Sequence, residues 1–226
     1  VEYRKPSDRQ QVTGFIRNKK LSALISLIIS GLCTVALIIT TAIPSVAKAL
    51  DNSSFSFSVT AGISLVLLTL AFLASLPCCS AGISCFFSGS GKPNSQTASV
   101  FAAFAAILQS LIVIIFGSDS DLPLFAAAGT LVLSLNAGGK LISFKRIAEN
   151  FEFIASKSKN ELYTVKTIEN ISDANKIGKN VVMGEADIRY SGKTKFVSNF
   201  LAYSMASDAA DDLSVRLVPV VAAASA

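Results

Sequence analysis

Long stretches without a charged side chain constrain this chain most strongly. Residues 21–43 contain no Lys, Arg, Asp or Glu, and neither do the later apolar runs 59–87 and 99–116. A helix rises about 1.5 Å per residue and a bilayer core is about 30 Å thick, so each run can form one membrane span. A further apolar run begins at Leu122 and reaches Lys140. The fold class is therefore predicted to be mainly α, a polytopic membrane protein with four transmembrane helices in two hairpins.

The basic residues give these runs an orientation. Only 15% of the chain is charged and the mean hydropathy is +0.56, whereas globular proteins carry about 25% charged residues. Six of the 20 Lys and Arg residues precede residue 21 and eleven follow residue 144. The positive-inside rule then predicts a multi-pass protein of the cell membrane with both basic regions in the cytoplasm.

The same distribution decides which partners are expected. The sequence pI of 9.1 is compatible with nucleic-acid binding, but the basic residues flank apolar runs rather than forming one face. We therefore expect the lipid bilayer as a partner and no nucleic acid. The two predicted outside loops, 44–58 and 117–121, hold a single lysine, Lys48.

Four parts follow from this pattern. Residues 1–20 form a basic cytosolic segment, and residues 21–144 form the transmembrane region. Residues 145–214 form a small cytosolic α+β insert, and residues 215–226 begin a fifth transmembrane helix. Because the chain lacks an initiator Met and its last apolar run stops at Ala226, we expect the sequence to be a fragment.

The insert carries weaker signals than the spans. Ile147, Phe151 and Ile154 have helical spacing, which predicts that the fourth helix continues into water as an amphipathic stalk. Residues 163–168 alternate in polarity and predict a strand, as do the short segments 181–183 and 187–190. The pair Ser191-Gly192 predicts a turn, and an apolar helix face is predicted from four side chains: Phe196, Phe200, Leu201 and Tyr203.

Inside the spans, small and polar residues mark positions where helices approach each other. Ser22, Ser26, Ser30 and Gly31 form a stripe in the first span, and such stripes allow close helix packing in lipid. Pro77 is expected to kink or end the second helix, because proline lacks the N–H that a helix needs. Gln109 is expected to hydrogen-bond across helices.

Two adjacent cysteines, Cys78 and Cys79, are the candidate metal ligands. Thiolates select soft ions such as Cu(I) or Zn. The alternative is that both residues act as small apolar side chains in a buried position. Three carboxylates, Asp208, Asp211 and Asp212, offer a further cation site, and the alternative there is the stabilisation of a helix N-terminus by negative charge.

The order of elements, four spans followed by a cytosolic insert and a further span, resembles the N-terminal part of a heavy-metal-transporting P-type ATPase. The most specific likeness lies in residues 210–221, where an Ala-Asp, a Ser and a Pro-Val-Val are similar to the stretch that follows the actuator domain in that family. The resemblance implies that residues 145–214 stand where the actuator domain would be. The family's Thr-Gly-Glu loop is absent, and Met183-Gly184-Glu185 is the nearest approach to it.

The resemblance implies transport of a heavy-metal cation by a chain that is either part of a pump or a degenerate relative. The family's Asp-Lys-Thr-Gly-Thr segment and its nucleotide-binding domain would lie beyond Ala226. Enzymatic activity is therefore left open: ATP and Mg are expected only with those downstream catalytic domains, and no cofactor is expected in this fragment.

A non-catalytic membrane-anchored protein, regulatory or partner-binding, is the alternative function. It is favoured by the lack of an acid or a His within the spans, because ion pumps usually keep one. Asn136, Gln109 and the cysteines are the candidates for an ion path in the transport hypothesis. An enzyme carried by residues 145–214 is the third hypothesis, and no nucleophile–base pair supports it.

Overall fold

The computed structural model describes residues 1–42, 56–87, 94–116, 125–156, 163–168, 170–179, 188–193, 196–205 and Arg216. The chain divides into two compact units. We call residues 16–146 with 206–226 the bundle unit, and residues 1–15 with 147–205 the hairpin unit. The beginning of the first long helix and the end of the fourth belong to the hairpin unit.

Four long helices account for most of the described chain. They are α1 (Arg9–Ala42), α2 (Ser56–Phe87), α3 (Ser95–Phe116) and α4 (Ala126–Ile154). Three of them contain a segment that is long and apolar enough to cross a membrane: Pro6–Thr40, Val59–Ser84 and Gln96–Ile115. The described chain is thus mainly helical, as predicted, and has the apolar helices of a membrane protein.

The bounds of α1 differ from the expected ones, and those of α2 decide between two expectations for Pro77. Helix α1 begins at Arg9 rather than at residue 21, because Val12 and Ile16 lie one turn apart and are both buried within the basic segment. Helix α2 does not end at Pro77 but continues to Phe87. Proline removes one backbone hydrogen bond, and neighbouring helices in a bundle can satisfy the carbonyls near it.

The bundle unit buries many small side chains and exposes many large apolar ones. Ser26, Ser30, Ala71, Cys79 and Ala103 are fully buried. The side chains that remain exposed are mostly long aliphatic or aromatic ones, among them Ile28, Leu32, Val66, Leu73, Phe104, Leu108 and Ile115. The predicted small-residue stripe of α1 is therefore confirmed as a packing surface at Ser26 and Ser30.

In the hairpin unit, a two-stranded antiparallel sheet pairs β1 (Tyr163–Thr167) with β2 (Arg189–Lys193). Helix α5 (Ile171–Gly178) follows β1, and its first turn is capped by the side chain of Asn170. The short helix α6 (Phe200–Ser204) follows β2. The strand expected at residues 163–168 is confirmed, while the turn expected at Ser191-Gly192 is wrong. Those two residues continue β2, opposite Val165 and Thr164, because the pairing with β1 keeps the backbone extended there.

An aromatic cluster forms the core of the hairpin unit. Tyr3 lies edge-on to Phe151, with 5.1 Å between ring centroids, and at 4.7 Å from Phe196. Phe151 in turn lies 5.4 Å from Phe200. The predicted continuation of the fourth helix is confirmed, because α4 extends to Ile154 with Ile147 and Phe151 buried; that this part lies in water stays a prediction.

Glu2 binds the N-terminal segment to α6 through hydrogen bonds. The carboxylate of Glu2 accepts the backbone N–H groups of Leu201 at 2.8 Å and Ala202 at 2.9 Å, and that of Tyr3 at 2.9 Å. Desolvation raises the pKa of Glu2, but these three donors outweigh it and lower the pKa below its ordinary value of 4.5. The backbone N–H of Asn199 also donates to the carbonyl of Tyr3 at 3.0 Å. We call this contact the N-terminal latch.

Several expectations concern residues outside the described part of the chain. These are the strand at 181–183, most of the two outside loops, the three carboxylates at 208, 211 and 212, and the fifth span apart from Arg216. They stay predictions.

Candidate functional site

Six polar or thiol side chains from all four long helices gather within the bundle unit. We call this group the thiol–amide cluster, and its members are Ser26, Cys78, Cys79, Gln96, Asn136 and Lys140. It contains both predicted metal ligands and one of the predicted ion-path residues.

The first contact joins α1 to α2 beside the proline. The hydroxyl of Ser26 donates to the backbone carbonyl of Ala74 at 2.6 Å. Ala74 lies in the turn that precedes Pro77, next to Leu73, whose carbonyl loses its helical donor because proline has no N–H. The thiol of Cys78 donates to the same Ser26 hydroxyl at 3.6 Å. Ser26 therefore stabilises the turn at which α2 carries its proline.

The second contact joins α2 to α4. The Nδ2 of Asn136 donates to the Sγ of Cys79 at 3.4 Å. The side chain of Cys79 is fully buried in an apolar cluster with Ala71, Val100 and Leu133, whereas Cys78 packs with Ala23 and Ala137. Adjacent thiols thus belong to separate clusters and have different partners.

The third contact joins α2, α3 and α4. With the Gln96 amide oriented by its hydrogen bonds, its Nε2 donates to the carbonyl of Cys78 at 2.9 Å and its Oε1 accepts from Lys140 Nζ at 2.6 Å. Close approach of α2 and α3 allows this arrangement. A Cβ atom on Gly82 would lie 2.8 Å from the backbone carbon of Gln96, so glycine is required at that crossing.

One further hydroxyl lies on the same face of α2 as Cys79. Ser75 precedes Cys79 by one turn and follows Ala71 by one turn, and both of these neighbours belong to the same apolar cluster. Its Oγ is buried and is the one such side-chain oxygen or nitrogen without a hydrogen-bond partner among the described residues. A buried hydroxyl without a partner destabilises a folded chain by about 1–3 kcal/mol.

The charge of the cluster is positive. Lys140 is its only charged member, and it is half-buried. Within the described residues the single ion pair joins Lys176 to Asp173, outside the bundle unit. The cluster can donate hydrogen bonds and attract an anion, and its thiols can accept a soft metal ion.

Neither the metal hypothesis nor its alternative is decided by these contacts. Both Cys78 and Cys79 are buried, as small apolar residues would be. Over the described residues no group of three or more His, Cys, Asp or Glu side chains is close enough to hold a metal ion. The third described thiol, Cys33, follows Ser26 by seven residues on α1, about 10 Å along the helix axis. The binding of metal by Cys78 and Cys79 stays a prediction.

Gln109, the other predicted ion-path residue, lies away from the cluster. Its Oε1 accepts the backbone N–H of Phe125 at 3.0 Å, immediately before α4 begins. Gln109 thus bonds to the residue that precedes α4, and the expected hydrogen bond to another helix is not seen in this contact. Small side chains surround Gln109 in an open apolar groove of about 290 Å³ between α3 and α4, lined by Ala102, Ala105, Ala106, Ala128 and Gly129.

Three members of the cluster, Ser26, Gln96 and Lys140, are not predicted from the sequence as site residues. The sequence indicates Ser26 only as a packing residue and Lys140 only as the end of the fourth apolar run, and a single Gln carries no pattern. Only the structure identifies Gln96 and Lys140, because the beginning of α3 at Gln96 lies beside Lys140, the first charged residue of α4.

Comparison with known proteins adds no family to this description. No protein-family model matches the chain, and neither a curated protein nor a solved structure is found to be similar to it.

Proposed function

We propose that the chain is a non-catalytic, membrane-anchored binding protein, in which four spans hold the hairpin unit at the cytosolic side of the cell membrane. The observation that carries this proposal is the N-terminal latch. It joins the beginning of the chain to α6, and the ring of Tyr3 within it contacts Phe151 at the end of α4. These segments form one compact unit. The hairpin unit is built from residues that precede α1 and residues that follow α4. We expect this arrangement in a protein whose helices anchor a folded unit to the membrane.

The proposal takes α4 as the fourth span. Leu133 and Ala137 of α4 are fully buried in the bundle unit, and α4 has no charged residue before Lys140. With four spans, the basic residues at both ends of the transmembrane region lie on one side of the membrane, as the positive-inside rule requires.

An exposed face of the two-stranded sheet is the proposed contact surface. Residues opposite each other in an antiparallel pair share a face, which puts Tyr163 with Lys193, and Val165 with Ser191. Tyr163 is 58% exposed and Val165 is 69% exposed, and the ammonium of Lys193 lies 5.9 Å from the Tyr163 ring centre. A two-stranded sheet is marginally stable by itself, so burial of this face against a protein partner would stabilise it.

Photocrosslinking in cells that produce the chain tests this surface. We expect a photoreactive amino acid at Val165 to give one adduct of discrete mass, and Tyr163→Ala in the same chain to weaken it. The matched control places the same amino acid at Tyr203, which is 77% exposed on α6, and should give no such adduct. The same adducts from both positions, or none from Val165, would contradict the proposal.

Transport of a heavy-metal cation by a P-type-ATPase-like protein stays a prediction of the sequence. Its test is the amount of Cu(I) or Zn that the purified chain retains. Stoichiometric metal that is lost in the Cys78→Ser/Cys79→Ser variant would favour transport over anchoring. If the chain retains no more metal than a cysteine-free control, the cysteines give no support to metal transport.

A further inference from the structure

One face of the two-stranded sheet consists of three exposed rows of side chains. Alternate residues of a strand share a face, and directly paired residues lie opposite each other. The register of β1 and β2 therefore gives the rows Tyr163–Lys193, Val165–Ser191 and Thr167–Arg189. All six residues are exposed. A cation lies in each outer row, and the middle row is uncharged.

Within the described part of the chain, no carboxylate compensates the two cations of this face. Neither β1 nor β2 contains an Asp or a Glu, and the single ion pair among the described residues joins Lys176 to Asp173 on α5. The ammonium of Lys193 lies 5.9 Å from the ring centre of Tyr163, and it keeps N–H donors for an anion. The face therefore combines uncompensated positive charge with exposed apolar surface.

The spacing of the rows matches that of an extended peptide. A strand rises about 3.4 Å per residue, so neighbouring rows lie about 7 Å apart and the two cations about 14 Å apart along the strands. Side chains on one side of an extended peptide also recur about every 7 Å. Two acidic residues with an apolar residue midway can therefore contact Lys193, Val165 and Arg189 together. A nucleic-acid strand fits less well, because phosphates about 3.4 Å apart along a duplex would lie over the uncharged middle row.

We propose that this face binds an extended acidic segment of a partner protein, in which an apolar residue lies midway between two carboxylates. Arg189 and Lys193 bind the carboxylates, and Val165 packs against the apolar side chain. Complementary charges of this kind give an interface its specificity and accelerate association. The inference rests on the proposed function, because it names the chemistry of the partner at the same contact surface.

An NMR titration of the purified full chain in an uncharged detergent tests this partner chemistry. The probe is the synthetic peptide Glu-Thr-Leu-Thr-Glu, and the measured quantity is the shift of the Val165 amide signal. We expect saturable binding that Arg189→Glu and Lys193→Glu each weaken about fivefold or more, because each replaces an attractive charge pair by a repulsive one. Lys193→Arg keeps the charge and should bind as the wild type does. The matched control Lys179→Glu reverses an exposed charge of the same unit outside the sheet and should leave binding unchanged.

Three outcomes would overturn the acidic partner. These are unchanged binding after both charge reversals, an equal loss in Lys179→Glu, and equally tight binding of Glu-Thr-Ser-Thr-Glu or of a thymidine oligonucleotide, which would show general attraction of anions. A discrete photocrosslinked adduct from Val165 in cells, without binding of the probe, would exclude the acidic partner and leave the proposed function standing. Binding of the probe without that adduct would support the acidic site and contradict the proposed function.

Discussion

The bundle unit and the hairpin unit differ in the side chains that they bury most often. In the bundle unit, alanine, serine and cysteine are buried while Leu32, Val66 and Ile115 stay exposed. In the hairpin unit, Tyr3 and Phe151 are buried while charged residues such as Lys176 and Arg189 are exposed. Large apolar side chains are inside where the solvent is water and outside where it is hydrocarbon. We therefore propose that the two units are built for different solvents.

Both units contain hydrogen bonds between segments that are far apart in sequence. In the bundle unit, the hydroxyl of Ser26 donates to the carbonyl of Ala74 on another helix, and in the hairpin unit Glu2 accepts from Leu201 and Ala202. The bundle unit in addition satisfies the hydroxyls of Ser30, Thr34 and Ser110 within their own helices, at 2.6–2.9 Å, as groups without access to water require.

The largest expected effect concerns the aromatic core of the hairpin unit. Phe151→Ala removes the ring between Tyr3 and Phe200 and should lower the free energy of unfolding of this unit by about 3–5 kcal/mol. The exposed neighbour Phe153 provides the matched control. Limited proteolysis after Tyr or Phe in residues 196–205 should accelerate in Phe151→Ala and stay unchanged in Phe153→Ala. Equal cleavage of both variants would show that the aromatic cluster does not hold this unit together.

A smaller effect is expected where α2 meets α3. Gly82→Ala places a methyl group 2.8 Å from the Gln96 backbone, and overpacking of this kind usually costs about 1–3 kcal/mol. A Cβ at Gly62 on the same helix meets nothing within 4 Å, so Gly62→Ala should be neutral or slightly stabilising. Thermal unfolding in detergent measures both variants. If Gly82→Ala unfolds at the wild-type temperature, the close contact between the two helices is not required.

The smallest expected effect is a pH dependence of the N-terminal latch. Because the pKa of Glu2 is lowered in the folded chain, the carboxylate stabilises the latch above its ordinary pKa of 4.5. That contribution should be lost as the pH falls through the lower folded pKa. The amide proton shifts of Leu201 and Ala202, followed by NMR, should titrate below pH 4.5 in the wild type. Their titration should disappear in Glu2→Gln, and its persistence there would assign the pH response to another group.

The sequence predicts the helices of the bundle unit better than their contacts. Uncharged runs identify α1, α2 and α3, because a bilayer selects length and apolarity in one continuous segment. The early start of α1 was missed because Val12 and Ile16 stand among charged residues, whose signal dominates there. The contacts of Tyr3 with Phe151 and Phe196 join segments that are far apart in the sequence, and no local pattern encodes such contacts.

The thiol–amide cluster also shows that the sequence predicts individual residues better than the contacts between them. Ser26 and the two cysteines were recognised as unusual residues in apolar runs. Their partners depend on how four helices align along their axes, to within about one turn, or 5.4 Å. Gln96 meets Lys140 only in that alignment, and periodicity within one helix carries no information about it.

The central claim, that the two units face different solvents, is tested most directly by one pair of substitutions. Val66 in the apolar segment of α2 and Val165 in β1 are 66% and 69% exposed, so both lose few protein contacts when changed to Asp. A charged residue within a membrane span costs about 2.5–3.5 kcal/mol, whereas an exposed residue in water tolerates the change within about 0.5 kcal/mol. The measurement is the yield of chain integrated into membranes. We expect a severe loss for Val66→Asp and a yield close to the wild type for Val165→Asp. Equal yields would contradict the claim.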